Sequence, residues 1–171
     1  MFKKLTFIIV CFAMAVWYVA GCAMRPVEPK RQTLVVPGGT VIPTVGIGFD
    51  ANYDPKLDEV IPGYKIVTIA FTNNSMNIIQ MDPTNDKWLV ENRRGGKIKA
   101  ITNLRSKDPD AWSDLPKRLK ILIEYPLIIP MGSTQTVDLL FKNSVNLNAF
   151  KSVIYKAART KQVYKIIPRE Q

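Results

Sequence analysis

Histidine is absent from all 171 residues, and cysteine occurs only twice, as Cys11 and Cys22. Without an imidazole no Ser-His-Asp or Cys-His constellation can be assembled, and zinc loses its commonest nitrogen ligand. Paired carboxylates and Ser-Lys chemistry survive that exclusion in principle, but neither leaves a recognisable signature, so the chain reads as a non-enzyme with no cofactor and no metal. Acidic residues are also in short supply: 14 against 24 lysines and arginines, a formal net charge of +10. Such an excess favours acidic partners.

One long apolar run is present, at the start. Lys3 and Lys4 precede an uncharged, mostly apolar stretch from Leu5 to Ala20, about the length of a secretory h-region and slightly beyond. No charge appears between Leu5 and Met24, so a helix of roughly 20 residues spanning a bilayer core of about 30 Å is the competing reading. The run ends in compact residues, Val19, Ala20 and Gly21, followed at once by Cys22. Val19-Ala20-Gly21-Cys22 resembles the lipobox of bacterial lipoproteins, departing from its usual form only in having Val where Leu is commoner. That resemblance implies cleavage between Gly21 and Cys22, a diacylglycerol thioether on Cys22 and acylation of the new amine. Each buried CH₂ contributes about 0.8 kcal/mol, and two or more chains hold a protein stably on a lipid bilayer. Ala23 stands where the enteric inner-membrane retention signal would have Asp, which points to the outer membrane, facing the periplasm. The alternative is an uncleaved signal anchor in the inner membrane carrying the same domain.

Removing residues 1–21 takes Lys3 and Lys4 from the 24 basic residues and none of the 14 acidic ones, leaving a formal +8. Cys11 leaves with the signal and Cys22 is acylated, so stability rests on a hydrophobic core, for which about 150 residues suffice in one domain. Nucleic acid suits the charge but not the compartment. The organisation expected is a signal peptide over 1–21, a lipidated N-terminus and extended linker over 22–44, and a folded domain over 45–171. Pro26, Pro29, Pro37 and Pro43 with Gly38-Gly39 make the linker extended, reaching at most roughly 65 to 70 Å. Within it, Thr33–Val36 could instead add an edge strand to the domain.

From Tyr64 the pattern is of short strands: Tyr64–Asn73, Asn77–Met81, a hairpin of Lys87–Asn92 and Lys97–Thr102 about Arg93-Arg94-Gly95-Gly96, then Thr134–Phe141, Phe150–Ala157 and VYKII. Asp108-Pro109 starts a helix over Pro109–Leu115. Leu115, Leu119, Leu122 and Ile123 favour a second short helix before Pro126, although alternation of Leu119, Ile121 and Ile123 also suits a strand. The fold class expected is mainly β, an antiparallel β-sandwich with one or two short inserted helices. The strand ending in Phe71-Thr72-Asn73-Asn74-Ser75, the turn Ile129–Thr134 and the strand Val137–Phe141 resemble the immunoglobulin-like domains of bacterial lipoproteins. This resemblance covers residues 60–158 and implies a scaffold or binding module with no catalytic residues. The helical stretch around Trp112 is not a general feature of that family.

Several groupings stand out as candidate sites. Arg93, Arg94, Lys97 and Lys99 cluster on the hairpin as a possible patch for an anionic ligand, such as a lipid or glycan phosphate, or for an acidic envelope protein. The plainer alternative is charge that keeps an edge strand from aggregating. Lys151, Lys156, Arg159, Lys161, Lys165 and Arg169 form a second basic series. Asp50, Asn52 and Asp54 alternate as calcium ligands would, but Pro55 and Ile61 occupy the positions that need Gly and Glu, leaving a solvated acidic loop. Asp82 and Asp86 read as turn residues rather than metal ligands. Trp88, Trp112 and Tyr125 read as core or corner aromatics, with a ligand pocket as the alternative, and Glu124 is a lone carboxyl. The function these features favour is a membrane-anchored envelope lipoprotein acting as a non-catalytic binding or structural module. A hydrolase of envelope polymers with two carboxylates across a groove is the alternative from a different class.

Overall fold

The computed structural model describes residues 33–36, 46–148 and 150–168, all within the unit Arg31–Gln171. The signal segment, Gly21, Cys22, most of the linker and Arg169 lie outside the described residues. The chain forms the mainly β sandwich with short helices that its strand pattern anticipates. One layer is a five-stranded sheet built from β1 (Thr33–Val36), β10 (Val163–Ile166), β9 (Ser152–Lys156), β5 (Lys87–Glu91) and β6 (Lys97–Lys99), in that spatial order. The other joins β2 (Gly46–Tyr53), β3 (Tyr64–Asn74) and β8 (Ser133–Lys142). A small ladder pairs β4 (Ile79–Gln80) with β7 (Ile128–Ile129). Pairing is antiparallel except between β1 and β10, so TLVV does add a strand, and it runs parallel to its neighbour.

Alternation explains the layers. Phe49, Ala51 and Tyr53 of β2 stand opposite Phe71, Ile69 and Val67 of β3, and Val137 and Leu139 of β8 continue the row inward. Trp88, Val90, Val153, Tyr155, Tyr164 and Ile166 face them from the five-stranded sheet. β2 occupies the stretch expected to be an acidic loop. Asp50 and Asn52 lie between its inward residues, and only Asp54 plays the turn role, capping the 3-10 turn Pro55–Leu57 by accepting the Lys56 N–H.

The outer face of β3 and β8 has a core of its own. Ile66 and Leu140 are buried there against Leu104, Leu115 and Ile123, delivered by α1 (Leu104–Lys107), α2 (Pro109–Asp114) and α3 (Lys117–Leu122). There are thus three short α-helices among the described residues rather than one or two, the first capped by Asn103. Asp108 caps α2 through the Ala111 N–H and also accepts from Tyr64 at 2.5 Å and Lys142 at 3.0 Å. Those contacts tie the helical insert to the sheet. The helix reading of the stretch after Pro116 holds, with exposed Ile121 and Leu122 at its end.

At the centre sits a buried carboxylate. Asp86 accepts from Tyr125 Oη at 3.0 Å, Tyr155 Oη at 3.1 Å, the Asp82 N–H at 2.9 Å and the Ala158 N–H at 2.8 Å. Tyr125 in turn accepts from Trp88 Nε1 at 2.9 Å, and the Trp88 and Tyr155 rings stack at 4.1 Å. Burial pushes both tyrosine hydroxyls far above the ordinary phenol range, so they donate as neutral groups. The Asp82–Asp86 loop, β5, the segment after α3, β9 and the turn after β9 are thereby held to one point.

Replacing Asp86 by Ala leaves two N–H groups and two hydroxyls without their acceptor. Urea unfolding of Asp86→Ala is expected to lose about 3 kcal/mol with an unchanged slope, and a loss below about 1 kcal/mol would show the network to be dispensable. The Asp108 carboxyl is held down to about 2 from 3.8, first by the Tyr64 hydroxyl and next by Lys142. A depressed folded-state pKa gives stability that is present above pH 3.8 and lost as pH falls towards about 2. The difference in melting temperature between the native chain and Asp108→Asn should therefore shrink across that window; a constant difference contradicts the assignment.

Candidate functional site

The five-stranded sheet has a second face, and the registers define it. Leu89 stands opposite Lys99 on one side and Ile154 on the other; Glu91 stands opposite Lys97 and Ser152. Ile154 is opposite Lys165, and Lys156 is opposite both Val163 and Lys87. Cross-strand partners share a face. Lys87, Lys97, Lys99, Lys156 and Lys165 therefore surround the apolar residues Leu89, Ile154 and Val163 on one side of the sheet. A shallow hollow of about 400 Å³ lies there, with Thr33 of β1 closing one flank.

Its charge is strongly unbalanced. Among the described residues Glu91 is the one acid on this face; it pairs with Lys165 at 2.9 Å and accepts from Ser152 Oγ at 2.8 Å. Lys165 and then Ser152 hold the Glu91 carboxyl below the usual carboxylate range. Lys87, Lys97, Lys99 and Lys156 have no ion pair among the described residues. Two of these four, Lys87 and Lys156, stand directly opposite one another, an arrangement that destabilises a sheet. Lys97 and Lys99 lie on the edge strand β6, where guarding against aggregation accounts for them. Lys156 is flanked on both sides, by Lys87 and Val163, where that explanation fails; Lys87 begins the interior strand β5, just beyond the residues that β6 pairs.

Two stretches distant in sequence thus meet. From the hairpin cluster, Lys97 and Lys99 join this face, while Arg93 and Arg94 are exposed on the turn that Gly95 closes with φ 83°. From the C-terminal series, Lys156 and Lys165 join it and Arg159 does not. Lys87 belonged to neither grouping; its signal was the alternation Lys87, Leu89, Glu91, which places it beside them.

No family model matches the chain, and no curated protein matches it. A solved structure, that of the yjhA protein from Bacillus subtilis, is similar to it with a TM-score of 0.41 and 8% sequence identity, over 78% of this chain and 99% of that one.

The remaining candidates resolve structurally. Asp82 is a loop-capping residue, accepting from the N–H groups of Thr84 and Asn85, and Asp86 is occupied by its four donors. Among the described residues no group of three or more His, Cys, Asp or Glu is placed to hold a metal, and no helix is long and apolar enough to cross a membrane. Trp88 and Tyr125 are core residues, Trp112 packs in the second core, and Glu124 is exposed.

Lys156→Glu converts the repulsion with Lys87 into an attraction. We expect it to raise unfolding free energy by about 0.5 kcal/mol at low salt, with the gain fading at high salt. A loss of stability would mean that Lys156 is kept for packing rather than for its charge.

Proposed function

We propose that this protein is a non-catalytic, lipid-anchored envelope module whose lysine face binds a phosphate- or carboxylate-bearing component of the envelope. The observation that carries the reading is the opposed pair Lys87 and Lys156 on interior strands, beside Lys97 and Lys99 and above an apolar floor. A like-charge conflict that costs stability is characteristic of a site maintained for a ligand. An anion seated in the hollow meets Lys97, Lys156 and Lys165, with Lys87 and Lys99 beside it on the same face, and Leu89, Ile154 and Val163 offer apolar contact to the body that carries it. Anchoring rests on Val19-Ala20-Gly21-Cys22, which supports an acylated Cys22 and, with Ala23, an outer-membrane position facing the periplasm. Among the described residues the hollow holds a single carboxylate, Glu91, which favours binding over paired-carboxylate hydrolysis.

Two measurements test the reading. Native material should have a mass corresponding to a chain that begins at an acylated Cys22; an intact Met1 or an unmodified Cys22 thiol would remove the anchor. Titrated with a soluble phosphorylated glycan, the protein should bind in a salt-sensitive manner. Lys87→Glu with Lys156→Glu should weaken that binding by at least about tenfold, each cation near an anionic surface contributing about 1 kcal/mol, while Lys117→Glu on α3 changes little. Equal affinities for both variants would sink the assignment of the face.

A further inference from the structure

A sheet edge with unpaired backbone groups invites another strand unless charge, proline or a covering segment blocks it. In the five-stranded layer one edge strand is β6, which carries Lys97 and Lys99. In the three-stranded layer β8 is an edge strand without such protection. From Ser133 to Val137 it reads STQTV, with no Lys, Arg, Pro or Gly, and Thr134, Gln135 and Thr136 are exposed. Threonine and valine also favour extended chain.

The register shows which backbone groups that edge offers. Leu140 exchanges both of its backbone hydrogen bonds with Ile101, at 2.9 and 3.0 Å, so its N–H and C=O point away from β3. In an antiparallel ladder this orientation recurs at every second residue. Thr134, Thr136 and Asp138 therefore turn their N–H and C=O groups outward as Leu140 does, and among the described residues nothing bonds to them. The open stretch has fixed ends. Ile101 fills the lane beside Leu140, and just before Ser133 the chain turns at Gly132, whose φ is 68°. Buried Asn73 holds that turn: its amide donates to the carbonyls of Asn77 and Ile129, at 2.9 Å each, and its own backbone carbonyl accepts from the Gly132 N–H at 2.7 Å. The loops 73–80 and 126–133, which carry no charged side chain and expose Met76, Ile128 and Met131, are fixed at this end by the same residue.

The edge is complementary to itself. An antiparallel pair centred on Thr136 sets Thr136 opposite Thr136 and Thr134 opposite Asp138, so every outward N–H of one copy meets an outward C=O of the other and no like charges are opposed. The side chains agree with the backbone. Asp138 accepts from Thr68 Oγ1 at 2.9 Å through one oxygen, and its second oxygen has no partner among the described residues. The Thr134 hydroxyl, bonded to Thr72 Oγ1 at 2.9 Å, can donate to that oxygen across the pair if Thr72 is the donor to it. The ends agree as well. One step beyond the open stretch, Gly132 of one copy falls opposite Leu140 of the other, where Ile101 already fills the lane, and Gly132 is where the chain turns away.

We propose that two copies of this protein pair through β8, antiparallel about Thr136, so that their three-stranded layers become one continuous sheet. The two-fold axis of such a pair is perpendicular to the sheet, which puts both five-stranded layers, and both lysine faces, on the same side. The doubled cationic surface is a consequence that rests on the proposed binding role of that face; the pairing uses none of its residues, so the two stand or fall separately. The test sets charges across the two-fold axis of the full chain in detergent micelles, with sedimentation reporting the number of protomers per particle. The native chain should dimerise as its concentration rises. Thr136→Lys and Thr136→Glu each oppose two like charges and should each weaken self-association about fivefold or more, while an equimolar mixture of the two recovers it. Amide exchange in the native chain needs no variant: the Thr134, Thr136 and Asp138 N–H groups should slow with rising concentration, while that of Gln135, which faces β3, stays constant. A native chain that remains monomeric, variants that dimerise as the native chain does, exchange independent of concentration, or a mixture that fails to recover, which would give the edge to a strand of another protein, each overturns the proposal.

Discussion

Asp86 is the point on which the sandwich depends. A buried carboxylate is tolerated only when protein groups replace the hydrogen bonds that water would supply, and here four donors do so from three stretches of the chain, around Asp82, Tyr125 and Tyr155–Ala158. The consequence is geometric. Tyr155 is fixed in β9 and Trp88 in β5, so these two strands lie side by side in a unique register, and the turn after β9 is drawn in through Ala158. The one-sided burial of β5 and β9 already opposes a one-residue slip, which would turn Trp88 and Tyr155 outward, and Asp86 adds a hydrogen-bonded anchor to the same register.

That alignment decides what the outside of the sheet presents. The register that stacks Trp88 on Tyr155 inside places Lys87 against Lys156 and Leu89 against Ile154 outside. The buried face of the β5–β9 pair, with Asp86 at its end, therefore sets the spacing of the cations and of the apolar floor between them. The loops at the end of the sandwich follow the same logic with Asn73 in place of Asp86: a buried amide, fully bonded, holds an uncharged apolar tip in view of solvent. In both places stability is given up locally, to like charge in one and to exposed apolar surface in the other, and the cost is offset by a polar network beneath.

Strands whose two faces are both apolar, such as Tyr64–Asn74, were legible in the sequence, as was the Arg93–Gly96 hairpin, because period and turn chemistry agree there. The helix at Pro109 was legible from Asp108, which caps it. β2 was not, because Asp50, Asn52 and Asp54 imitate a polar loop, although Phe49, Ala51 and Tyr53 carry the alternation of a half-buried strand. The lysine face was visible as charge but not as a face, since its contributors belong to two stretches separated by some fifty residues and only β5–β9 pairing unites them. Asp86 read as a turn residue for the same reason: its partners Tyr125 and Tyr155 lie 39 and 69 residues away.

We propose that the outer face of the five-stranded sheet is occupied in the cell envelope. Covalent footprinting of lysines in isolated native membranes addresses it directly, by comparing the acetylation rate of each lysine before and after the protein is extracted and purified. Lys87, Lys97, Lys99 and Lys156 should react several-fold more slowly in the membrane than after purification, while Lys56, Lys107 and Lys117, all exposed elsewhere, react equally in both. Equal rates in both states at the four sheet lysines would contradict it.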